Sequence, residues 1–154
     1  MNLYEFEGKT LFAKHDLAIP RGVVVRLGDD YAAKYTELGI TEVVVKAQIL
    51  SGKRGKNNGI KFCSSANEVA VACTELLANQ IKGMQVTSVL IEEKLNIAEE
   101  HYCSVVYDTN NKQPVLIYSN QGGMDIEEVS EDKILRIPLD IRTGKLPEAQ
   151  ANWD

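Results

Sequence analysis

The chain has 154 residues, 44% of them hydrophobic and 25% charged, with a formal net charge of −5 and a pI near 5.1. That length suffices for one compact core, and the acidic balance argues against general nucleic-acid or membrane-surface binding. Three cysteines, Cys63, Cys73 and Cys103, lie far apart without CxxC spacing, so buried free thiols in a reducing compartment are expected rather than disulfides or metal ligation.

No apolar run approaches the length of a membrane span, and the first residues enter a polar, helix-like pattern without a signal or transit segment. The expectation is a soluble cytoplasmic protein. Asn2-Leu3-Tyr4-Glu5 has the spacing of an N-cap with Glu5 reaching back to it, opening a helix to about His15 in which Leu3, Phe6, Leu11 and Phe12 are available to pack. Ile19-Pro20-Arg21-Gly22 breaks that helix, and Val23-Val24-Val25 reads as a short strand. A helix follows from about Asp30 to Leu38 and stops at Gly39. Ser65-Ala66-Asn67-Glu68 is a capping box, and Val69, Ala72, Cys73 and Leu76 behind it form one apolar stripe, which makes Cys73 a core residue.

Gly83 ends that region, and 86–93 is strand-like with Glu92 and Glu93 at its end. A hairpin is expected from 101–108 and 114–119 around Thr109-Asn110-Asn111-Lys112, then a glycine turn into a short acidic helix at 120–128. The tail alternates through Ile134, Arg136 and Pro138 before it loosens. No repeat, low-complexity segment or linker is visible, and the class is α+β with antiparallel hairpins.

The most informative stretch is 42–62. A run of β-branched residues, Val43-Val44-Val45, closes on a single lysine, Lys46. A loop of glycines and cations follows, and Ile60-Lys61-Phe62 resumes a strand pattern. Glycines permit close backbone approach, and Lys46, Lys53, Arg54 and Lys56 supply charge for phosphate oxygens. A P-loop would need glycine at Leu50 and a hydroxyl residue at Asn57, so this is a different phosphate cover. The plain alternative is a solvated basic hairpin loop. Against it stands Lys46, a charge at the end of an apolar strand, costly to bury without an anionic partner.

Two further constellations are weaker. Glu92-Glu93-Lys94-Leu95 ends a strand and enters a connecting segment through Glu100, which suits reading of a purine base and ribose but equally suits a solvated turn. Gly122-Gly123 with Asp125 and Glu127 reads as a ligand loop or a simple turn with acids at a helix start. His15 and His101 have no catalytic partners in sequence, and no Ser-His-Asp or Cys-His nucleophile can be assembled, so no catalytic residue and no metal ligand is assigned.

Taken together these residues resemble a known family. Val45-Lys46-Ala47-Gln48-Ile49-Leu50-Ser51-Gly52-Lys53-Arg54-Gly55-Lys56 is similar to the "VKAQ…AGGRGK" signature of the succinyl-CoA synthetase (succinate–CoA ligase) β subunit. The segment from Asn2 through "IPRG" to Val25, the run from Val89 to Tyr102, and Pro114 through Gly122-Gly123-Met124-Asp125-Ile126-Glu127-Glu128-Val129 look like that family in register. The resemblance implies the N-terminal part of an ATP-grasp fold. Residues 21–95 would be the nucleotide-covering subdomain, 1–20 and 96–154 part of the second, and the CoA-ligase domain of the family would be absent. By matching position, Lys46 would hold the phosphates of ATP or GTP, and Lys53, Arg54 and Gly55 would form the loop over them. Glu92 and Leu95 would contact the base, and Glu100 the ribose or phosphate-proximal side. Gly122, Gly123 and Asp125 are a candidate phosphate-side loop.

The family usually has a second glycine where Lys53 stands, and a family subunit is more than twice as long. Its magnesium ligands, an Asn and an Asp, would lie outside these residues. The implied reaction joins a nucleoside triphosphate, succinate and CoA into succinyl-CoA, the nucleoside diphosphate and phosphate. It proceeds through a phosphohistidine on a partner α subunit that also carries the CoA site. The expected partners are therefore that subunit and the rest of the β subunit, with no nucleic acid and no membrane. Malate–CoA ligase and ATP-citrate lyase β-type subunits resemble the same family, and a non-catalytic split module that acts only with a partner is the non-enzymatic alternative. Leu50 and Pro20 lie near positions that differ between adenine and guanine users.

Overall fold

In the computed structural model, residues 2–52 and 54–143 are described. The chain divides into two compact units, Met1–Leu95 and Asn96–Asp154. In the first unit helix α1 (Glu5–Lys14) precedes strand β1 (Gly22–Val25), helix α2 (Tyr31–Leu38) and strand β2 (Val43–Ala47). Strand β3 (Ile60–Cys63), helix α3 (Ala66–Ala78), a small hairpin of β4 (Gln80–Ile81) and β5 (Met84–Gln85), and β6 (Val89–Glu93) complete it. The main sheet has the order β1-β6-β2-β3, and every pairing in it is antiparallel.

Alternation along β2 and β6 sorts this sheet into two faces. Val43, Val45, Ala47, Val89 and Ile91 join Val25 and the α3 stripe of Val69, Ala72, Cys73 and Leu76 in one buried core, with Tyr31, Tyr35 and Leu38 of α2 packed against it. The expected N-cap of α3 is present, and α2 has one that the sequence reading did not name. Asp30 Oδ1 accepts from the Ala33 amide at 3.0 Å and Ser65 Oγ accepts from the Glu68 amide at 3.3 Å. Gly39 ends α2 with a φ of 62°.

Helix α1 departs from expectation in two ways. Its N-cap is Tyr4 rather than Asn2, and Glu7 rather than Glu5 reaches back, accepting the Tyr4 amide at 2.8 Å. Its apolar residues also do not form a buried stripe: Leu3, Leu11 and Phe12 are exposed, and no residue of α1 is buried. The reason is compositional, since polar side chains interrupt the apolar positions and the helix docks by charge, as shown below.

The second unit is a three-stranded antiparallel sheet, β7 (Tyr102–Asp108), β8 (Gln113–Ser119) and β9 (Leu135–Pro138), in the order β7-β8-β9. Asp108 Oδ1 accepts the amides of Asn110 and Asn111 at 2.9 and 3.2 Å, which builds the expected turn. The acidic segment forms a single 3-10 turn at Ile126–Glu128. Cys63 and Cys73 are buried free thiols, and burial pushes the Cys73 thiol up to about 12. Cys103 corrects the expectation of three buried thiols, because it lies on the exposed side of β7.

Candidate functional site

The sheet face opposite the core carries the charge. Val44 pairs with Glu92 and Lys46 with Leu90, so Lys46 and Glu92 leave the same face as diagonal neighbours across two strands. Lys46 Nζ reaches Glu92 Oε2 at 2.5 Å, and Glu92 is only 2% exposed. A carboxylate so buried requires compensating donors. A second one comes from α1, where Lys9 Nζ pairs with the other Glu92 oxygen.

Arg54 enters the same cluster from the loop. Its carbonyl accepts the amides of Asn57 at 3.0 Å and Gly59 at 2.9 Å, folding the Gly55–Asn57 turn back on itself. Its guanidinium then donates to the Ala47 carbonyl at 2.8 Å and to Glu5 Oε2 at 2.5 Å. Glu5 thus accepts from Arg54, from Lys46 at 3.3 Å and from Lys9 at 2.9 Å. Gln48, 1% exposed, ties α1 to β2 through the Phe6 amide at 3.2 Å and the Lys46 carbonyl at 3.1 Å. On the far side of the loop, Lys82 donates to the Gly52 carbonyl at 2.9 Å and Ser51 Oγ at 3.2 Å.

Two clefts adjoin this cluster. One, of about 540 Å³, is bounded by Phe6, Lys9, Pro20, Gly22, Leu90 and Glu92 among others. The other, of about 520 Å³, is bounded by Leu3, Glu5, Leu50, Ser51, Gly52 and Arg54 among others.

In the second unit Glu100 lies against the glycine loop. Its carbonyl accepts the Gly122 amide at 2.8 Å, and a Cβ added at Gly122 would meet the Glu100 carbonyl carbon at 2.6 Å. A Cβ added at Gly123, whose φ is 73°, would meet the Glu100 carboxylate first. Asp125 precedes the 3-10 turn and its carbonyl accepts the Glu128 amide at 2.9 Å. His101 Nδ1 and Tyr118 Oη lie 2.8 Å apart on the exposed surface, with Glu99 at 3.3 Å from Nε2.

Comparison with known proteins decides the family. Residues 2–153 match the model of the ATP-grasp domain. The chain belongs to the ATP-grasp family. Among curated relatives it is 40% identical to the succinate–CoA ligase [ADP-forming] subunit beta of Methanocaldococcus jannaschii, over 99% of this chain and 42% of the relative. It is 37% identical to the protein of the same name from Bacteroides fragilis, over 94% of this chain and 38% of the relative. The chain therefore spans about two-fifths of the length of these relatives. Among solved structures it is similar to ATP citrate lyase from Methanothrix soehngenii in complex with citrate and coenzyme A. The TM-score there is 0.72 and the identity 21%, over 96% of this chain and 38% of that one. It is also similar to a dinucleotide-forming acetyl-coenzyme A synthetase 1 from Ca. Korarchaeum cryptofilum, at TM-score 0.64 and 19% identity over 86% of this chain and 63% of that one. The two structures share the fold of this ATP-grasp chain.

Of the residues singled out in the sequence, this ATP-grasp unit brings Lys46, Arg54 and Glu92 into one cluster, with Gly55 opening the turn behind Arg54. Leu95 is half-exposed beyond the end of β6. Glu100, Gly122 and Gly123 come together in the second unit. Lys53 lies outside the described residues. Sequence reading missed Glu5, Lys9, Gln48 and Lys82. Glu5 and Lys9 carry the one legible signal, opposite charges one helical turn apart in the first element.

The charges make a pH prediction. Burial pushes Glu5 upward, but hydrogen bonds from Arg54 and Lys9 and the charges of Arg54 and Lys46 outweigh it, holding the carboxyl at about 2 against an ordinary 4.5. A depressed acid contributes stability that is complete above its unfolded pKa and is lost as pH falls through the folded one. Docking of α1 is therefore expected to weaken between pH 4.5 and 2, by about 2–3 kcal/mol. Carboxyl ¹³C NMR titration checks this: a Glu5 midpoint near the ordinary carboxylate value would contradict it.

Proposed function

We propose that this chain is the nucleotide-binding portion of the β subunit of an acid–CoA ligase that converts a nucleoside triphosphate, succinate and CoA into succinyl-CoA, the nucleoside diphosphate and phosphate. The observation that supports this reading most is the convergence of Lys46 and Arg54 beside open clefts, in a chain 36–40% identical to relatives named succinate–CoA ligase [ADP-forming] subunit beta. The names of those relatives favour ATP over GTP, and succinate over malate or citrate, as the substrates tested first.

In this reading Lys46, Arg54, Lys53 and Gly55 neutralise and cover the phosphate chain, Glu92 and Leu95 meet the base, and Glu100 meets the ribose. Gly122, Gly123 and Asp125 form a phosphate-side loop. The complete protein would use 21–95 as the nucleotide-covering subdomain and 1–20 with 96–154 in the second. Phosphoryl transfer needs positioning and charge stabilisation more than covalent chemistry from the protein, which suits a site built of fixed cations. Burial pulls the Lys46 pKa down, but Glu92 and Glu5 outweigh it and raise it, so the lysine is charged throughout the neutral range.

Among the described residues no three His, Cys, Asp or Glu side chains converge on a metal site. In this reading, as the resemblance to the family implies, magnesium is held by ligands elsewhere in the β subunit, and no step is routed through it. The phosphohistidine and the CoA site belong, in this reading, to an α subunit. A cytoplasmic location is part of the same proposal; among the described residues no helix is long and apolar enough to cross a membrane.

Isothermal titration of the 154-residue chain with ATP is expected to give saturable binding, whereas ATP hydrolysis dependent on succinate and CoA is expected only after the rest of the β subunit and an α subunit are added. Turnover by the chain alone, or absence of ATP binding both by it and by a Glu5→Gln variant, would overturn the proposal.

A further inference from the structure

Glu5 and Lys9 stand one turn apart on α1, about 6 Å between their Cβ atoms, and present an acceptor and a donor to the sheet. The acceptor meets Lys46 and Arg54, and the donor meets Glu92. A nucleotide would bring the same two functions to the same groups: an anionic phosphate to the cations, and a hydrogen-bond donor to the carboxylate. We propose that α1 is an internal mimic of the ligand, which covers the residues assigned above to the nucleotide and must be displaced when a nucleoside triphosphate binds. This rests on the assignment of Lys46 and Arg54 to the phosphates.

Three features of the structure favour displacement over a fixed scaffold. The groups that α1 covers are borne by β2, by β6 and by a turn closed onto β2 and β3, held by strand pairing and the core, whereas α1 contributes no buried residue. Among the described residues its polar attachment is made by the ion pairs and the Gln48–Phe6 hydrogen bond, and with no buried residue of its own it belongs at the low-stability end of the unit. Open clefts also adjoin the cluster, bounded by Lys9 and Glu92 in one case and by Glu5 and Arg54 in the other. Arg54 and Glu92 themselves border those clefts, so withdrawal of the two side chains opens both groups to that space.

Electrostatics gives the exchange its direction. Glu5 offers one negative charge and a triphosphate offers several, each with acceptor oxygens suited to Arg and Lys. The helix therefore acts as a weak competitor, and the apparent affinity is the intrinsic one multiplied by the fraction of molecules in which it is undocked. Such a cover keeps the lysines and Glu92 compensated when no nucleotide is present.

The test uses calorimetric titration with ATP and with inorganic tripolyphosphate on the wild-type chain, Glu5→Gln and Lys46→Ala, beside amide hydrogen exchange of residues 5–14. Glu5→Gln is expected to tighten both ligands about tenfold and to speed exchange of α1 before any ligand is added. Saturating ATP is expected to speed α1 exchange in the wild type. Lys9→Gln provides a second variant with the same exchange readout. Binding by Glu5→Gln but not by the wild type would support the proposal as well. Unchanged or weaker binding by Glu5→Gln, or slower α1 exchange with ATP, overturns it while leaving the nucleotide assignment intact. Failure of both the wild type and Glu5→Gln to bind ATP overturns the mimic together with that assignment.

Discussion

Lys46→Ala is expected to lower nucleotide affinity about 100-fold, close to 3 kcal/mol, the range for losing one charge-assisted contact to a phosphate in a partly water-excluded site. The side chain is 19% exposed and sits 2.5 Å from Glu92, so its position is set by the sheet and not by ligand. Removing it also leaves Glu92 with Lys9 as its remaining ion-pair partner among the described residues. A destabilisation of about 1–3 kcal/mol follows from that under-compensated buried carboxylate. The two effects separate experimentally, because urea denaturation without nucleotide reads the second and titration with ATP the first. Lys46→Arg keeps the charge but replaces a point donor by a planar fork, and it should restore stability more than affinity. Unchanged ATP affinity in Lys46→Ala would remove this lysine from the phosphate site and the cluster from the proposed function.

Gly122→Ala is expected to destabilise the second unit by about 2–4 kcal/mol, because the new methyl overlaps fixed backbone and a hydrogen bond is lost as well. Its Cβ would lie 2.6 Å from the Glu100 carbonyl carbon and 2.7 Å from the His101 nitrogen, distances that only a backbone shift relieves. That shift also breaks the 2.8 Å bond from the Gly122 amide to the Glu100 carbonyl. Gly123→Ala meets the Glu100 carboxylate instead, the free end of a flexible side chain, although its φ of 73° adds strain. The smaller loss there, about 1 kcal/mol, should come with a repositioned Glu100. Hydrogen exchange of the β7 and β8 amides distinguishes the pair, and equal losses at both glycines would contradict the close-approach argument.

Much of the site was legible because its geometry is local. A period of two along Val43-Val44-Val45-Lys46 fixes Lys46 to the face opposite Val45, and the glycines of the loop announce a tight return to β3. Gly122 and Gly123 were legible as a turn, but the Glu100 backbone that makes the first of them necessary lies 22 positions earlier and has no local signature. The cap of α1 was misread for a related reason. Asn2 and Glu5 have capping spacing, yet Glu5 gains more from two cations brought from positions 46 and 54 than from a backbone amide it shares with water, and Glu7 takes the cap.

By itself the sequence determined the order of the longer helices and strands, though not the β4–β5 hairpin, and with it the core stripe of α3, the basic loop and the membership in the ATP-grasp family, since each rests on periodicity, capping or a contiguous signature. Only the tertiary structure decided that Lys46 and Arg54 are already paired, and with which carboxylates. Strand alternation says which face a charge leaves from, but its counter-ion is chosen by the register of β2 on β6 and by the docking of α1, both of which join residues more than 40 positions apart.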